Sequence, residues 1–435
     1  MELTGLDLAI IATYMVAVTM IGVLLTRRAA KSVDSYLLGG KTLPWYLLGL
    51  SNASGMFDIS GTMWLVTLAF VYGLKCIWIP WLWPVFNQIF LAVSLSTWLR
   101  RSNVLTGAEW IQTRFGNDRG GRLAHMVVVL FAVISVLGFL AYGFVGIGKF
   151  MEIFSPWEVS APYVPFDIPA QYVPHFYGIF FTSIATFYVM LGGMLSIVWA
   201  DVLQFTIMTI SAVIIAVLAM IHVSPEALQA ATPEGWANPF FGWTLDLDWG
   251  GLINEINDKI VSDGYSLFSI FFMMMLVKGL LVSAAGPAPN YDMQKILATR
   301  SPRDAALMSG FVSIVLMPIR YLMIAGFAIL AIVYYQELDL MTGGRIDFEN
   351  ILPSAMMQFA PVGILGLILA GLLAAFMSTF ASTVNAAPAY LVNDIYKRYI
   401  NPEASPKRLV RASYLISVLV VMISTVIGLW VESIN

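Results

Sequence analysis

The chain runs to 435 residues, of which 59% are hydrophobic and only 11% charged, with a formal net charge of −3 and a mean hydropathy of +0.81. A soluble domain carries roughly 25% charged residues and 45–50% apolar ones, so this composition excludes a water-soluble fold and describes an all-α polytopic membrane protein. Cys76 is the only cysteine, which excludes an intrachain disulfide, and His125, His175 and His222 are too scattered to form a metal-ligand cluster.

A bilayer crossing takes about 20 apolar residues, and the hydropathy pattern predicts ten: roughly 6–26, 45–73, 77–99, 122–150, 175–193, 196–222, 265–285, 304–334, 352–394 and 409–431. The first run has Glu2 and Asp7 before it and Arg27 and Arg28 after it. A secretory signal has the opposite order of charge and a cleavage site, so this is a spanning helix with its N-terminus outside. The ninth run is long enough to project beyond the bilayer or to tilt strongly. Seventeen of the 23 Lys and Arg then fall on one side, in four groups: Arg27 to Lys41, Arg100 to Arg122, Lys295 to Arg303, and Lys397 to Arg411. The loops on the other side are acidic. The positive-inside rule makes the basic side the inside, and the even span number puts both termini outside. This is the pattern of a multi-pass protein of the cell's inner (plasma) membrane. In the long outer loop, about 223–264, Leu252 to Ile260 is expected to form a short surface helix. The inner segment Thr106 to Phe115 reads as an amphipathic helix at the interface. No separate soluble domain is expected.

Four ionisable residues fall within apolar runs: Asp58, Asp201, Lys278 and Arg320. Each costs roughly 2.5–3.5 kcal/mol at the bilayer centre on insertion scales, so each has either a functional role or a partner; two acids and two bases could neutralise one another. Asp58 lies in Ser51-Asn-Ala-Ser-Gly-Met-Phe-Asp-Ile-Ser-Gly-Thr62, too polar for a lipid-facing helix and flanked by Gly55 and Gly61. It predicts a helix broken in mid-membrane, whose free carbonyls must line a cavity or a site. Gly192 and Gly193 predict a tight inner turn, with Asp201 one to two helical turns beyond it. Pro287 and Pro289 end the seventh span; after them Asn290 and Tyr291 either close a cavity from inside or form an ordinary helix-ending loop.

Between Gly371 and Arg398, Ala375, Ser378 and Ser382 are spaced three and four apart and share one helical face. Such a face is either a close-packing seam or a set of hard oxygen ligands. Set against the break at Asp58, it supplies hydroxyls opposite free carbonyls, so the second and ninth spans read as two halves of one cation site. Asn87 and Gln88 on the third span, and Lys278 on the seventh, are candidates to face a solute pocket. Lys278 and Arg320 would suit a carboxylate-bearing solute or else neutralise Asp58 and Asp201.

In order along the chain, Ser35-Tyr-Leu-Leu-Gly-Gly-Lys-Thr-Leu-Pro-Trp45, Phe57-Asp-Ile-Ser-Gly61, Thr106-Gly-Ala-Glu-Trp-Ile-Gln-Thr-Arg-Phe-Gly116, Val198-Trp-Ala-Asp-Val-Leu-Gln204 and Ala375-x-x-Ser-Thr379 with Asn385 and Asp394 resemble the sodium:solute symporter family. The resemblance covers about residues 5–430. It implies a LeuT-like inverted repeat of five plus five spans after an extra first helix (6–40), with a first repeat over 45–222 and a second from 265. It implies sodium as the coupling ion and a small polar solute (sugar, amino acid or organic acid) as cargo, imported by alternating access. It implies a sodium site made of the carbonyls of Met56, Ile59 and Ala375 with the hydroxyls of Ser378 and Thr379. A second sodium site, found in some members, would use Asp201, Ser378 and Ser382, although Ala381 stands where another serine is usual. Asp58, Ser60 and Gly61 match the broken helix that lines ion and solute sites, and Tyr291 matches an inner gating tyrosine. The second repeat shows four spans rather than five before Asn435, so either the product is short or the sequence is truncated. The rival reading is a solute-sensing receptor, or an inactive fragment, that keeps the pocket without transporting. Neither reading involves a nucleic-acid partner, and no nucleophile–base set for an enzyme appears.

Overall fold

A computed structural model describes residues 3–430 apart from 162–163, 166, 241–244, 246, 265–275, 278, 282–283, 285, 288–291 and 343–344. Most of the predicted seventh span, with Lys278, Asn290 and Tyr291, therefore lies outside the described residues.

The first helix, α1 (Gly5–Ala29), starts at a capping box. Thr4 Oγ1 accepts the Asp7 N–H, and the Asp7 carboxylate accepts the Thr4 N–H. The other Asp7 oxygen accepts the N–H groups of Gly363 and Gly366, each at 2.8 Å. One acid thus satisfies orphan donors at the start of two helices, α1 and the later α12 (Ile364–Pro388). After the short α2 (Val33–Leu38), the predicted second span is two helices, α3 (Trp45–Gly55) and α4 (Ile59–Tyr72), separated at Met56–Asp58. Asp58 caps α4 by accepting the Gly61 N–H at 2.9 Å. A methyl group at position 61 would stand 2.4 Å from the Asp58 carboxylate, which is why glycine follows the acid here.

From Gly73 to Arg101 the chain continues as helical turns that alternate between tight and wide. Then come α5 (Gly107–Phe115), capped by Thr106, and α6 (Arg119–Phe154). Helix α7 (Val173–His222) is interrupted at Gly193, with φ 51° and ψ −146°. Ser196 Oγ donates to Tyr188 O at 3.3 Å, whereas eight residues of straight helix span about 12 Å. The chain therefore doubles back at the predicted Gly192-Gly193 turn. No side chain fits there, since a methyl at Gly193 would lie 2.4 Å from Tyr36 O. Beyond a short helix at Pro225–Ala231 come α8 (Asn254–Asp263), α9 (Asp292–Ala298), α10 (Pro302–Val333), α11 (Ile351–Phe359), α12 with a wide-turn continuation over Ala389–Ile400, and α13 (Pro406–Gly428). The β structure among the described residues is a two-residue antiparallel pair, Met341↔Ile346 and Thr342↔Arg345, and an isolated parallel bridge between Leu43 and Thr299.

Seven helical segments among the described residues are long and apolar enough to cross a membrane. Two of them, Ile59–Arg101 and Ala170–His222, are each divided by a glycine at positive φ, Gly73 and Gly193. That division accords with the predicted span pattern outside 265–285. The ninth run differs from expectation. It is not one long tilted helix, because α11 ends at Phe359 and α12 begins at Ile364 after Gly363 at φ 80°.

The chain sorts its connections to two ends. At one, Lys41 Nζ donates to Asn103, Arg300 N to Leu43 O, Arg100 to Thr299 O and Arg398 to Gln112. At the other, Lys75 Nζ donates to Gly235 O, Tyr72 to Asp263, Thr67 to Phe348 O and Tyr334 to His222 O. These are the two sets that loop charge separates. The predicted helices at 106–115 and 252–260 are present as α5 and α8, although α5 buries Ala108 and Gln112 instead of lying free on the interface. At the centre stands α12. It packs on α1, α3, α6, α7 and α13, and every residue from Ile368 to Pro388 is buried. Neighbours approach it closely through small residues; a methyl at Gly371 would meet Ser211 Oγ at 2.8 Å.

Candidate cation and solute site

The break between α3 and α4 faces the middle of α12. The last turn of α3 tightens, with Met56 N donating to Asn52 O and Ala53 O and Phe57 N to Ser54 O. Ala375, Ser378, Thr379 and Ser382 are all buried opposite it. Thr379 Oγ1 donates to Gly55 O at 2.8 Å and sits 3.1 Å from Ala375 O, so one hydroxyl ties the broken helix to α12. The Ser378 and Ser382 hydroxyls are buried and close no hydrogen bond of standard geometry. Both would lie 3.8 Å from a methyl placed on Gly55. Buried oxygens without partners are costly unless a water or cation takes them up. A cavity of about 20 Å³ beside this point is lined by Asp58, Ile59, Ser60, Tyr142, Phe376 and Thr379 among others, and a single water-sized body needs roughly 10–15 Å³. Of the predicted cage, Ile59 and Thr379 line that cavity, while Met56 caps α3 and Ala375 and Ser378 sit behind it on α12.

Asp201 has a partner that the sequence did not suggest. Its Oδ2 accepts from Ser51 Oγ and from Lys295 Nζ, the latter at 3.4 Å. Lys295 Nζ also donates to Ser51 O at 2.7 Å and would stand 3.0 Å from a methyl on Gly55. Both side chains are buried, with exposures of 0% and 1%. Lys295 was expected in an inner loop as part of the basic group. Instead, α9 tucks under α3: Asp292 and Lys295, three apart and so on one face, dock on Asn52 and Ser51, with Asn52 Nδ2 donating to Asp292 at 2.8 Å. Ser378 faces Asp201 from α12. The predicted second-site residues Asp201, Ser378 and Ser382 are thus together, with an ammonium group among them.

Asp58 pairs with Arg320 on α10 at 3.7 Å, and Arg320 lies over the Phe57 ring. These contacts answer the question for three of the four charges, Lys278 lying outside the described residues. Arg320 neutralises Asp58, Asp201 is neutralised by Lys295, and Asp58 serves as helix cap and ion-pair partner. Ser60 faces α6, where a methyl at Gly146 would lie 2.4 Å from its hydroxyl. Gly61 follows the cap. Asn87 Nδ2 donates to Gly286 O at 3.0 Å, which sets the third span against the end of the seventh. Gln88 is fully buried, and neither atom of its amide has a hydrogen-bond partner among the described residues. Trp78 and Trp81 donate to Pro239 O and to the Tyr321 hydroxyl.

A pocket of about 480 Å³ runs from this region to the acidic end. Ser60, Gly61, Trp64, Thr67 and Tyr142 line its depth, and Lys259, Asp263, Phe348 and Glu349 line its mouth. Lys259 and Asp263 pair at 2.7 Å. At Glu349, burial pushes the carboxyl above its ordinary range against the pull of Lys149, with Asp347 adding to the rise.

The sodium:solute symporter family profile matches residues 36–435. A sodium/glucose cotransporter of Vibrio parahaemolyticus is 24% identical over 98% of this chain and 75% of its own length. A sodium/sialic acid symporter of Proteus mirabilis is 21% identical over 98% and 78%, and a sodium/proline symporter of Haemophilus influenzae 25% over 91% and 72%. Among solved structures, a substrate-bound, outward-open sodium-coupled sialic acid symporter superposes with a TM-score of 0.72 at 19% identity, covering 98% of this chain and 82% of that one. MhsT in complex with L-phenylalanine superposes with a TM-score of 0.51 at 15% identity, covering 88% and 79%. These likenesses place the architecture among LeuT-fold symporters. With a break at Met56–Asp58, hydroxyls facing it from α12 and a profile match over nearly the whole sequence, the chain belongs to the sodium:solute symporter family, as a multi-pass sodium-coupled symporter and not an enzyme.

Proposed function

We propose that this symporter imports a small polar organic solute, a sugar, an amino acid or an organic acid, from the side of its acidic loops, with its N-terminus outside in the plasma (inner) membrane. Sodium is held by the carbonyls of Met56, Ile59 and Ala375 and the hydroxyls of Ser378 and Thr379. The observation that carries this reading is the Thr379–Gly55 hydrogen bond beside the buried Ser378 hydroxyl, which faces Asp201. An ion bridging the α3–α4 break and α12 would draw the two together and fix the floor of the pocket. The solute occupies the pocket of about 480 Å³, within the roughly 300–1,000 Å³ of small-molecule sites. Ser60 and Gly61 line it; Asn87, Gln88 and Lys278 are the further candidates to contact the solute, and Asn290 and Tyr291 the candidates to close the cavity from inside. Residues 45–222 are the first inverted repeat after α1, and 265–435 the second, with four spans rather than five. One sodium ion moving down 100 mV supplies about 2.3 kcal/mol, enough for roughly fiftyfold accumulation at 1.4 kcal/mol per tenfold.

The solute class is testable without transport. A ligand that binds only the folded protein raises its unfolding temperature, and the rise grows with the logarithm of its concentration above the dissociation constant. In a panel of sugars, amino acids and organic acids, one member is expected to raise the unfolding temperature of the purified protein in sodium chloride and not in potassium chloride. A panel with no sodium-dependent shift, or a shift equal in both salts, would contradict the reading.

A further inference from the structure

We propose that the Lys295 ammonium group is the resident cation of the pocket beside Asp201, so that this chain binds one sodium ion, at the Ser378–Thr379 cage, and not two. The proposal rests on the sodium-cage reading above and goes beyond it by fixing the ion count and naming the residue that sets it.

The placement carries the inference. Lys295 Nζ is 3.4 Å from Asp201 Oδ2 and 2.7 Å from Ser51 O, both oxygens that a metal cation at this point would seek. It stands against the Gly55 Cα, where a methyl would come within 3.0 Å of Nζ and 3.8 Å of the Ser378 and Ser382 hydroxyls. Those two serines and Asp201 are the oxygen set of a second cation pocket, and the ammonium already sits among them. Its position is built and not incidental. The same face of α9 carries Asp292, bonded to Asn52, so the helix is held at two successive residues of α3 and its lysine can reach only inward. A sodium ion in this pocket would stand at near contact distance from a second positive charge and would have to share Asp201 with it, since Asp292, the other carboxylate near the ammonium, is bonded to Asn52. The geometry therefore gives Asp201 a tethered cation that stays with the protein, while Ser378 and Thr379 remain for the ion that moves.

The test counts bound ions. Equilibrium binding of radioactive sodium to the purified full chain is expected to give one ion per chain for the wild type. Lys295→Ala, which removes the ammonium and leaves Asp201, Ser378, Ser382 and the Ser51 carbonyl, is expected to give two. Lys295→Gln, which keeps the volume, gives the same count where the alanine variant does not fold. The unfolding temperature of either neutral variant rises with sodium more steeply than that of the wild type, since the added ion replaces the lost partner of Asp201. Lys295→Arg is expected to keep one. Two ions on the wild type would overturn the proposal while leaving sodium symport intact. So would a count of one on both neutral variants without added sodium stabilisation. A wild type that binds no sodium would overturn the cage itself, and this inference with it.

Discussion

Ser378→Ala and Thr379→Ala are each expected to raise the sodium concentration for half-maximal uptake at least tenfold, and to differ in what else they change. Both remove one hydroxyl from the cage facing the α3–α4 break. A tenfold rise corresponds to about 1.4 kcal/mol, the scale of one oxygen contact to a charged group, about 1.5–3 kcal/mol. Thr379 Oγ1 also donates to Gly55 O, so its loss leaves a buried carbonyl without that donor and lowers stability by about 1 kcal/mol. The Ser378 hydroxyl holds no backbone carbonyl and faces Asp201, so Ser378→Ala is expected to lower the sodium-free unfolding temperature less than Thr379→Ala. Sodium titrations of uptake and thermal unfolding in sodium-free buffer check the two halves. An unchanged half-saturating concentration in both variants would place the ion elsewhere.

Asp201→Ala is expected to have the larger effect on stability, about 3–5 kcal/mol, because it strands the Lys295 ammonium in the protein interior. Asp201 and Lys295 are buried on every side, and the remaining Ser51 carbonyl offers the ammonium one neutral acceptor. The double variant Asp201→Ala/Lys295→Met removes both charges, and a buried pair replaced by apolar groups is often neutral. It should regain most of the loss in a denaturation series. A double variant as unstable as the single one would show that the two side chains are not energetically coupled. The Asp58–Arg320 pair is longer, at 3.7 Å, and its acid is 24% exposed, so solvent screens it more and its disruption costs less.

The sequence was most informative where a residue type has one physical meaning. Charge asymmetry sorted the loops, because lipid excludes exposed cations. Gly192-Gly193 marked a tight turn between spans, and the Gly-rich run around Asp58 marked a backbone irregularity that only a cavity or a site tolerates in mid-membrane. The helical spacing of Ala375, Ser378 and Ser382 placed hydroxyls on one face, but spacing names no partner, so the Thr379–Gly55 bond was not legible. Lys295 was misplaced for a related reason. Charge statistics count where a residue lies along the chain, and Lys295 follows Pro287 and Pro289 among inner cations; only the docking of α9 under α3 sends its side chain inward. The one signal available was Asp201 itself, a buried acid that needed a base. The break before α12 was hidden differently. Ala360-Pro-Val-Gly363 contains the proline and glycine that interrupt the helix, but its apolar composition let the ninth run read as continuous.

The most direct test of sodium-coupled symport through this cage is solute uptake into liposomes holding the purified protein, under an imposed inward sodium gradient. The solute that stabilises the protein in sodium is expected to accumulate above its outside concentration with the gradient. It should only equilibrate with equal sodium on both sides, and accumulate further when the interior is made negative. Accumulation that is the same when potassium replaces sodium, or that ignores the gradient, would contradict the account.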